Sequence, residues 1–221
     1  MSLIEKIKAH EKEIISGKTL EGLHQCPKCQ GIPQSFDSHG IRMRMFLVIK
    51  GAFVHQIESF LSRWKCPLCM STFTYYPEFA LPFKRYLKDS LLPIARNYLE
   101  EDNYTYRQVV LHEHSGAALG YAPSQEEGHI DERQLPGSTI WRWLSFIGSL
   151  KQRLSHSLNL IREESPESTI FRKIFPVHPK KYKSEERKIL LGFCQRFFAA
   201  HDEFVRLFER SIFPRFATGY L

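Results

Sequence analysis

Two short cysteine pairs, Cys26-Pro-Lys-Cys29 and Cys66-Pro-Leu-Cys69, constrain this chain more than anything else in it. Two residues between paired cysteines let one tight turn present both sulfurs to a single ion. Two such turns supply the four soft thiolates of a tetrahedral zinc site. Either pair alone would say little; the double pair predicts one structural zinc ion held by Cys26, Cys29, Cys66 and Cys69. A disulfide framework is the alternative, and it needs an oxidising compartment. The start, Met1-Ser-Leu-Ile-Glu-Lys-Ile-Lys8, is charged and amphipathic and does not read as a secretory leader. No run of about 18 apolar residues suggests a membrane span. Zinc is therefore preferred over disulfides, with a cytoplasmic, nucleoid-associated location and no membrane partner expected.

The chain has 221 residues, 43% of them hydrophobic, enough for one main domain beside a small metal-stapled one. The fifth cysteine, Cys194, stands in a helix-like run and reads as core. The formal net charge is +7, and its distribution matters more than its sum. From Arg133 to Arg162 there are five basic residues and no acidic one, and from Arg172 to Lys188 seven basic residues against Glu185 and Glu186. Such runs are most often solvated helix faces, but they also suit a phosphate-rich partner.

Along the chain, residues 3–16 read as an amphipathic helix. Asp37 to Gly40 reads as a turn, and Ile41 to Ile49 as a strand. Phe53 to Trp64 leans to strand at its Trp64 end, and Ser71 to Tyr76 is a strand. Knuckle, strand, strand, knuckle, strand is the layout of a zinc ribbon. Phe83 to Leu99 then reads as a helix with a kink at Pro93, and Tyr104 to Glu113 as a second helix. Residues 114–137 read as a long loop, 165–184 as a basic connector, and Glu185 to Ile212 as a long aromatic helix. The fold class expected is α+β, mostly α. Its parts are an N-terminal helix (1–22), a zinc ribbon (23–77), a helical domain with a helix-turn-helix-like element (78–163), and a basic connector with a C-terminal helix (164–221).

A second constellation opens at Pro136-Gly-Ser-Thr-Ile-Trp-Arg-Trp-Leu144. Ser138 suits a helix N-cap. At 100° per residue, Ile140, Trp143, Leu144, Ile147 and Leu154 share one face, with Arg142, Ser145, Ser149 and Arg153 opposite and Thr139 at the edge. Short side chains with long cationic reach and no acid are what a helix needs to enter a major groove. An ordinary surface helix packed through its tryptophans is the plainer alternative. The Tyr104 to Val110 stretch would serve as the supporting helix, with Arg107 near the phosphate backbone, although 24 residues separate the two where a tight turn is usual.

The run Trp64-Lys-Cys-Pro-Leu-Cys-Met-Ser-Thr-Phe-Thr-Tyr-Tyr-Pro77, with Arg42 and Arg44 on the strand before it, resembles the N-terminal ribbons of bacterial insertion-sequence proteins. The sequel, with its Tyr-x-Tyr-Arg helix and Ser-Thr-x-x-Arg-Trp-Leu144, resembles small transposase-associated zinc-ribbon proteins. The resemblance spans roughly residues 23–150. It implies double-stranded DNA as partner, with a transposase or another element-encoded protein beside it. Arg42 and Arg44 would touch the backbone, and the Ser138 helix would read bases through Arg142. The expected function is a DNA-binding accessory factor or regulator of a mobile element. No enzyme activity is expected: the five aspartates, Asp37, Asp89, Asp102, Asp131 and Asp202, do not form the three-carboxylate set that holds two magnesium ions. His112-Glu-His114 does not make a second metal site, since residues two apart do not share a helix face. Two rival readings are a protein-interaction adaptor and an RNA-binding ribbon protein.

Overall fold

The computed structural model describes residues 3–17, 23–50, 53–111, 135–175 and 177–218, and the fold is α+β. The expected loop over 114–137 and the His112/His114 pair lie almost wholly outside the described residues. The chain forms two compact units. The first takes the chain up to Ser90 together with the tail from Pro214, and the second takes described residues between Leu91 and Phe213.

The first unit is a helix on a four-stranded antiparallel sheet. The helix is α1 (Leu3–Ile15); the strands are β1 (Asp37–Lys50), β2 (Phe53–Lys65), β3 (Thr72–Tyr75) and β4 (Phe216–Thr218), ordered β1-β2-β3-β4. β1 and β2 form one long hairpin, from Asp37 opposite Lys65 to Lys50 opposite Phe53. Its strand formers alternate: Arg42, Arg44, Phe46 and Val48 lie on one face, and Ile41, Met43, Met45, Leu47 and Ile49 on the other. Phe46, Val48 and Leu61 bury against Leu3 and Ile7 of α1 and against Tyr76, Phe79 and Leu87. Burying such side chains contributes about 1.5–3 kcal/mol each. His10 of α1 is buried and its Nε2 lies 2.9 Å from the Phe60 carbonyl.

Three departures from the sequence reading belong to this unit. The expected turn at Asp37–Gly40 is strand: the register shifts between Ser38 and Gly40, and Gly40 has φ +139°, so the glycine makes a bulge that keeps β1 paired. The stretch from Phe83 does not begin a helix. Arg85–Leu87 lies alongside β1, with Leu47 N–H donating to the Arg85 carbonyl and Leu87 N–H to the Leu47 carbonyl. The helix α2 (Lys88–Glu100) starts only afterwards, so Pro93 falls in its second turn, where it removes the N–H that would bond the Asp89 carbonyl. β4 had no signal in three residues of sequence; its pairing with β3 supplies the strand.

The second unit holds the rest of α2 with α3 (Tyr106–Leu111), α4 (Gly137–Gly148), α5 (Lys151–Glu164), a 3-10 turn at Thr169–Phe171, and α6 (Glu185–Phe208). The long α6 packs on α4 and α5. Ser184 caps it by accepting the Arg187 N–H, and Glu209 ends it in the left-handed region at φ 54°. Cys194 is fully buried, its Sγ 3.4 Å from the Leu144 carbonyl, and burial pushes its thiol up to about 12. At the C-terminus of α2 the Leu99 carbonyl lies 2.7 Å from His178 Nε2, and just beyond it the Lys180 ammonium donates to the carbonyls of Glu101 and Tyr104.

The helix expected from Ser138 through Leu154 is two helices. α4 ends at Gly148, and α5 begins at Lys151. A Cβ on Gly148 would stand 3.0 Å from Leu190 Cγ, so α6 comes closest where α4 stops. Pro136, not Ser138, occupies the N-cap position, with no side-chain cap bond. The Thr139 N–H is instead taken by the Pro136 backbone carbonyl at 2.8 Å.

Candidate functional site

The two cysteine pairs meet at one end of the β1–β2 hairpin. Each pair sits in a knuckle of the same build. In the first, Cys26 N–H donates to the Gly31 carbonyl at 2.9 Å and Gln30 N–H to the Cys26 carbonyl at 2.9 Å. In the second, Cys66 N–H donates to the Ser71 carbonyl at 2.9 Å and Met70 N–H to the Cys66 carbonyl at 2.8 Å. Gln30 and Met70, each just after the second cysteine, both adopt φ 59°, the left-handed conformation that turns the chain back so that Gly31 and Ser71 meet the first cysteine's N–H. Gly31 lies close to the other knuckle: a Cβ there would stand 2.7 Å from Leu68 Cδ1, and that exposed side chain would have to shift.

All four Sγ atoms lie within 4.8 Å of one another. Across the knuckles Cys26 and Cys69 stand 3.8 Å apart, and Cys29 and Cys66 3.9 Å. A tetrahedron with zinc–sulfur bonds of about 2.3 Å has edges of about 3.8 Å. A disulfide holds its sulfurs at about 2.05 Å in pairs; here four sulfurs share one centre. These residues can therefore hold one metal ion, and the set is compatible with zinc. Cys26 and Cys66 are buried while Cys29 is exposed.

The thiols do not titrate alike. Ser71, through its hydroxyl and its backbone N–H, is the main influence on Cys69, and the Cys29 and Cys66 thiols add to it, bringing Cys69 down to about 6. Cys29 moves up to about 11: backbone hydrogen bonding at Gly31 favours its thiolate, but lost hydration and the Cys69, Cys26 and Cys66 thiols outweigh that. The cluster thus gives up one proton readily and holds another tightly, and a bound cation displaces them together.

The residues expected to meet nucleic acid are scattered over both units. Arg42 is exposed on β1. Arg44 is half-buried: its Nη1 donates to the Tyr76 hydroxyl at 3.3 Å, and its guanidinium lies 5.9 Å from the Phe46 ring centroid and 5.8 Å from that of Tyr76. It serves the packing of the first unit. In the second unit α3 packs on α4, with Gly137 against the Tyr106 side chain. Arg107, Ser138 and Arg142 are exposed there, and Thr139 is half-buried. Ser145 is occupied, donating to the Trp141 carbonyl and accepting from Arg187 at 3.1 Å. Ser149 lies past the end of α4 and donates to the Phe146 carbonyl; Arg153 is exposed on α5, not on α4.

Sequence reasoning passed over Arg187. Its guanidinium donates to the Ser145 hydroxyl, to the Tyr106 hydroxyl at 3.0 Å and to the Trp141 carbonyl at 3.3 Å, and lies 5.1 Å from the Trp141 ring. It ties α6 to α3 and α4. Its partners are 42 to 81 residues away, so nothing local could have revealed it.

Fold and cluster together define a class: a basic α+β protein with four cysteines gathered for one metal ion. No protein-family model, no curated protein and no solved structure matches the chain. Among the described residues no helix is long and apolar enough to cross a membrane.

Proposed function

We propose that this is a zinc-containing DNA-binding protein of a mobile genetic element, an accessory factor or regulator of transposition with no nuclease centre of its own. Zinc is structural in this reading: four protein sulfurs fill the tetrahedron and leave no position for water. The first unit is then a zinc ribbon, and α3 and α4 are the helix-turn-helix-like pair. The observation that carries the DNA reading is the surface of that pair: Arg107, Ser138 and Arg142 are exposed on two packed helices, and α4 bears no carboxylate. Arg142 reads a base edge, Arg107 and Arg153 meet phosphates, and Arg42 adds backbone contact; Arg44 and Ser145 leave the set because other side chains of the protein hold them.

The test is selection from a random duplex library at two salt concentrations, with zinc assayed beforehand. A recovered motif with a steep salt slope supports the reading. Arg142→Ala then costs about 1–3 kcal/mol on the selected site. No enrichment of duplex over single-stranded RNA, or indifference to Arg142→Ala, sinks it.

A second reading, an adaptor that binds another protein of the same machine, is favoured by exposed apolar side chains on the first unit. Ile41 and Met43 on β1, and Ile32, Leu68 and Met70 around the knuckles, are each more than half exposed.

A further inference from the structure

β1 is an edge strand, and the described residues cover only part of its edge. The backbone groups of Leu47 point away from β2, since both bond to Arg85–Leu87, and Ile49 N–H likewise donates to the Ser90 hydroxyl at 3.0 Å. In an antiparallel pair the outward groups fall on alternate residues. Ile41, Met43 and Met45 therefore also turn their N–H and C=O groups outward, and no described residue bonds to them. Edge strands are ordinarily blunted by a proline, a bulge or an added charge. Here the bulge lies upstream, between Ser38 and Gly40. From Ile41 to Met45 the edge is regular and carries no proline.

The side chains along this stretch have two characters. Ile41 is 55% and Met43 61% exposed, and they share the face on which Phe60 stands opposite Met43. The opposite face carries Arg42, which is exposed and makes no ion pair among the described residues. Arg85, also exposed, follows at the covered end of the edge. The acid nearest the apolar face is Glu58, opposite Met45. A strand laid on this edge would place alternate side chains beside Ile41, Met43 and Met45, where Glu58 disfavours an acid, and the others beside Arg42, where an acid is favoured. A one-residue slip would exchange the two sets, so register is specified.

We propose that the open edge at Ile41–Met45 is a docking site for an extended peptide segment of another protein, alternating apolar with acidic residues. The three outward residues offer up to three donors and three acceptors, enough for a segment of five or six residues, with main-chain bonds giving affinity and the two faces giving selectivity. The inference goes beyond DNA binding and shares with that reading only Arg42.

The experiment uses the full-length, zinc-loaded protein with nitrogen-15 label. It is titrated with an eight-residue peptide alternating valine and glutamate, with its valine–lysine counterpart, and with the valine–glutamate peptide N-methylated at alternate residues. Amide exchange is followed at Ile41, Met43 and Met45. The expected result is slowed exchange at these three amides with the glutamate peptide, about ten-fold weaker binding of the lysine peptide, and none of the methylated one. Met43→Pro removes an outward N–H without touching the bonds to β2 and should abolish binding, while Met43→Leu keeps it. Should Met43→Pro fail to fold, the double variant I41K/M43K carries the same expectation. The proposal is overturned if the glutamate peptide leaves these amides unchanged. It also fails if they are already protected in the dilute free protein, or become protected with protein concentration alone, which would mean a second copy pairs there. Duplex binding measured on the same samples separates the two readings: Arg142→Ala should leave peptide binding intact, and Met43→Pro should leave duplex binding intact.

Discussion

Replacing Cys29 and Cys66 by serine in separate proteins gives the sharpest test of the metal centre, because burial and ligation rank the two sites differently. Cys66 is fully buried and Cys29 is exposed. If the four thiols merely cluster, the Cys29 change should fall within about 0.5 kcal/mol, as surface changes do. The Cys66 change would bury a hydroxyl and cost about 1–3 kcal/mol. If one ion holds all four, the two variants lose the same thing. Residues 30–65 lie between the inner cysteines. Closing a loop of about 36 residues costs roughly 3 kcal/mol of chain entropy, which the bound ion compensates and a three-sulfur site does not. For a unit of this size, about 3 kcal/mol lowers Tm by at least about 12 °C. The assay is metal content by mass spectrometry beside thermal unfolding followed by circular dichroism. Both variants should lose the metal and melt earlier by similar amounts. A Cys29→Ser protein that keeps stoichiometric metal and the wild-type Tm refutes the four-thiolate centre.

Other expectations follow from the same coordinates. Gln30→Gly and Met70→Gly remove a side chain from exposed positions at φ 59°; each should stabilise the first unit by about 0.5–1 kcal/mol, read as a raised Tm with metal bound. Arg187→Ala removes three hydrogen bonds and a ring contact, and should destabilise the second unit by about 2–3 kcal/mol in denaturant unfolding, with little recovery by Arg187→Lys. His10 is held below the ordinary 6.5, by burial first, with its Nε2–H donated to Phe60 in the neutral form. The unfolded chain takes up a proton near 6.5 where the folded one does not, so stability is full above that pH and declines as pH falls below it. His10→Gln should flatten that decline, measured by urea unfolding between pH 7.5 and 5.

What the sequence made legible was what local rules decide. The C-P-x-C pairs named all four cysteines of the cluster, because two-residue spacing sets knuckle geometry by itself. The alternation after Ile41 marked β1 for the same reason. The misreadings have contextual causes. Asp37-Ser-His-Gly40 looks like a turn by composition, yet β2 supplies a partner along its whole length and Gly40 absorbs the extra residue as a bulge. The periodic run past Ser138 looks like one helix to Leu154, but α6 reaches Gly148 and the chain breaks there. The bond from Arg44 to Tyr76, 32 residues away, was not legible in its strand either. Whether α3 and α4 read DNA is a property of a surface, and periodicity could name only its face.

The position of the metal cluster follows from how the hairpin buries its two faces. Phe46 and Val48 toward the β1–β2 turn, and Leu61 opposite Arg42 further along, are buried on the face that meets α1. Toward the knuckles the load changes face. Trp64 and Phe73, directly opposite each other, are buried on the other side, with Phe36 and Phe216 packed edge-on to Phe73 at 5.2 and 6.0 Å. Those few rings make a core too small to hold two strands and two loops by themselves, and a small core of that kind calls for a staple. An ion held at the four sulfurs would supply it from the open end. The change of face also leaves a stretch between the two cores that neither covers, and Ile41 and Met43 stand in it. Chelation should therefore loosen the Trp64–Phe73 end while the Phe46–Val48 end stays folded.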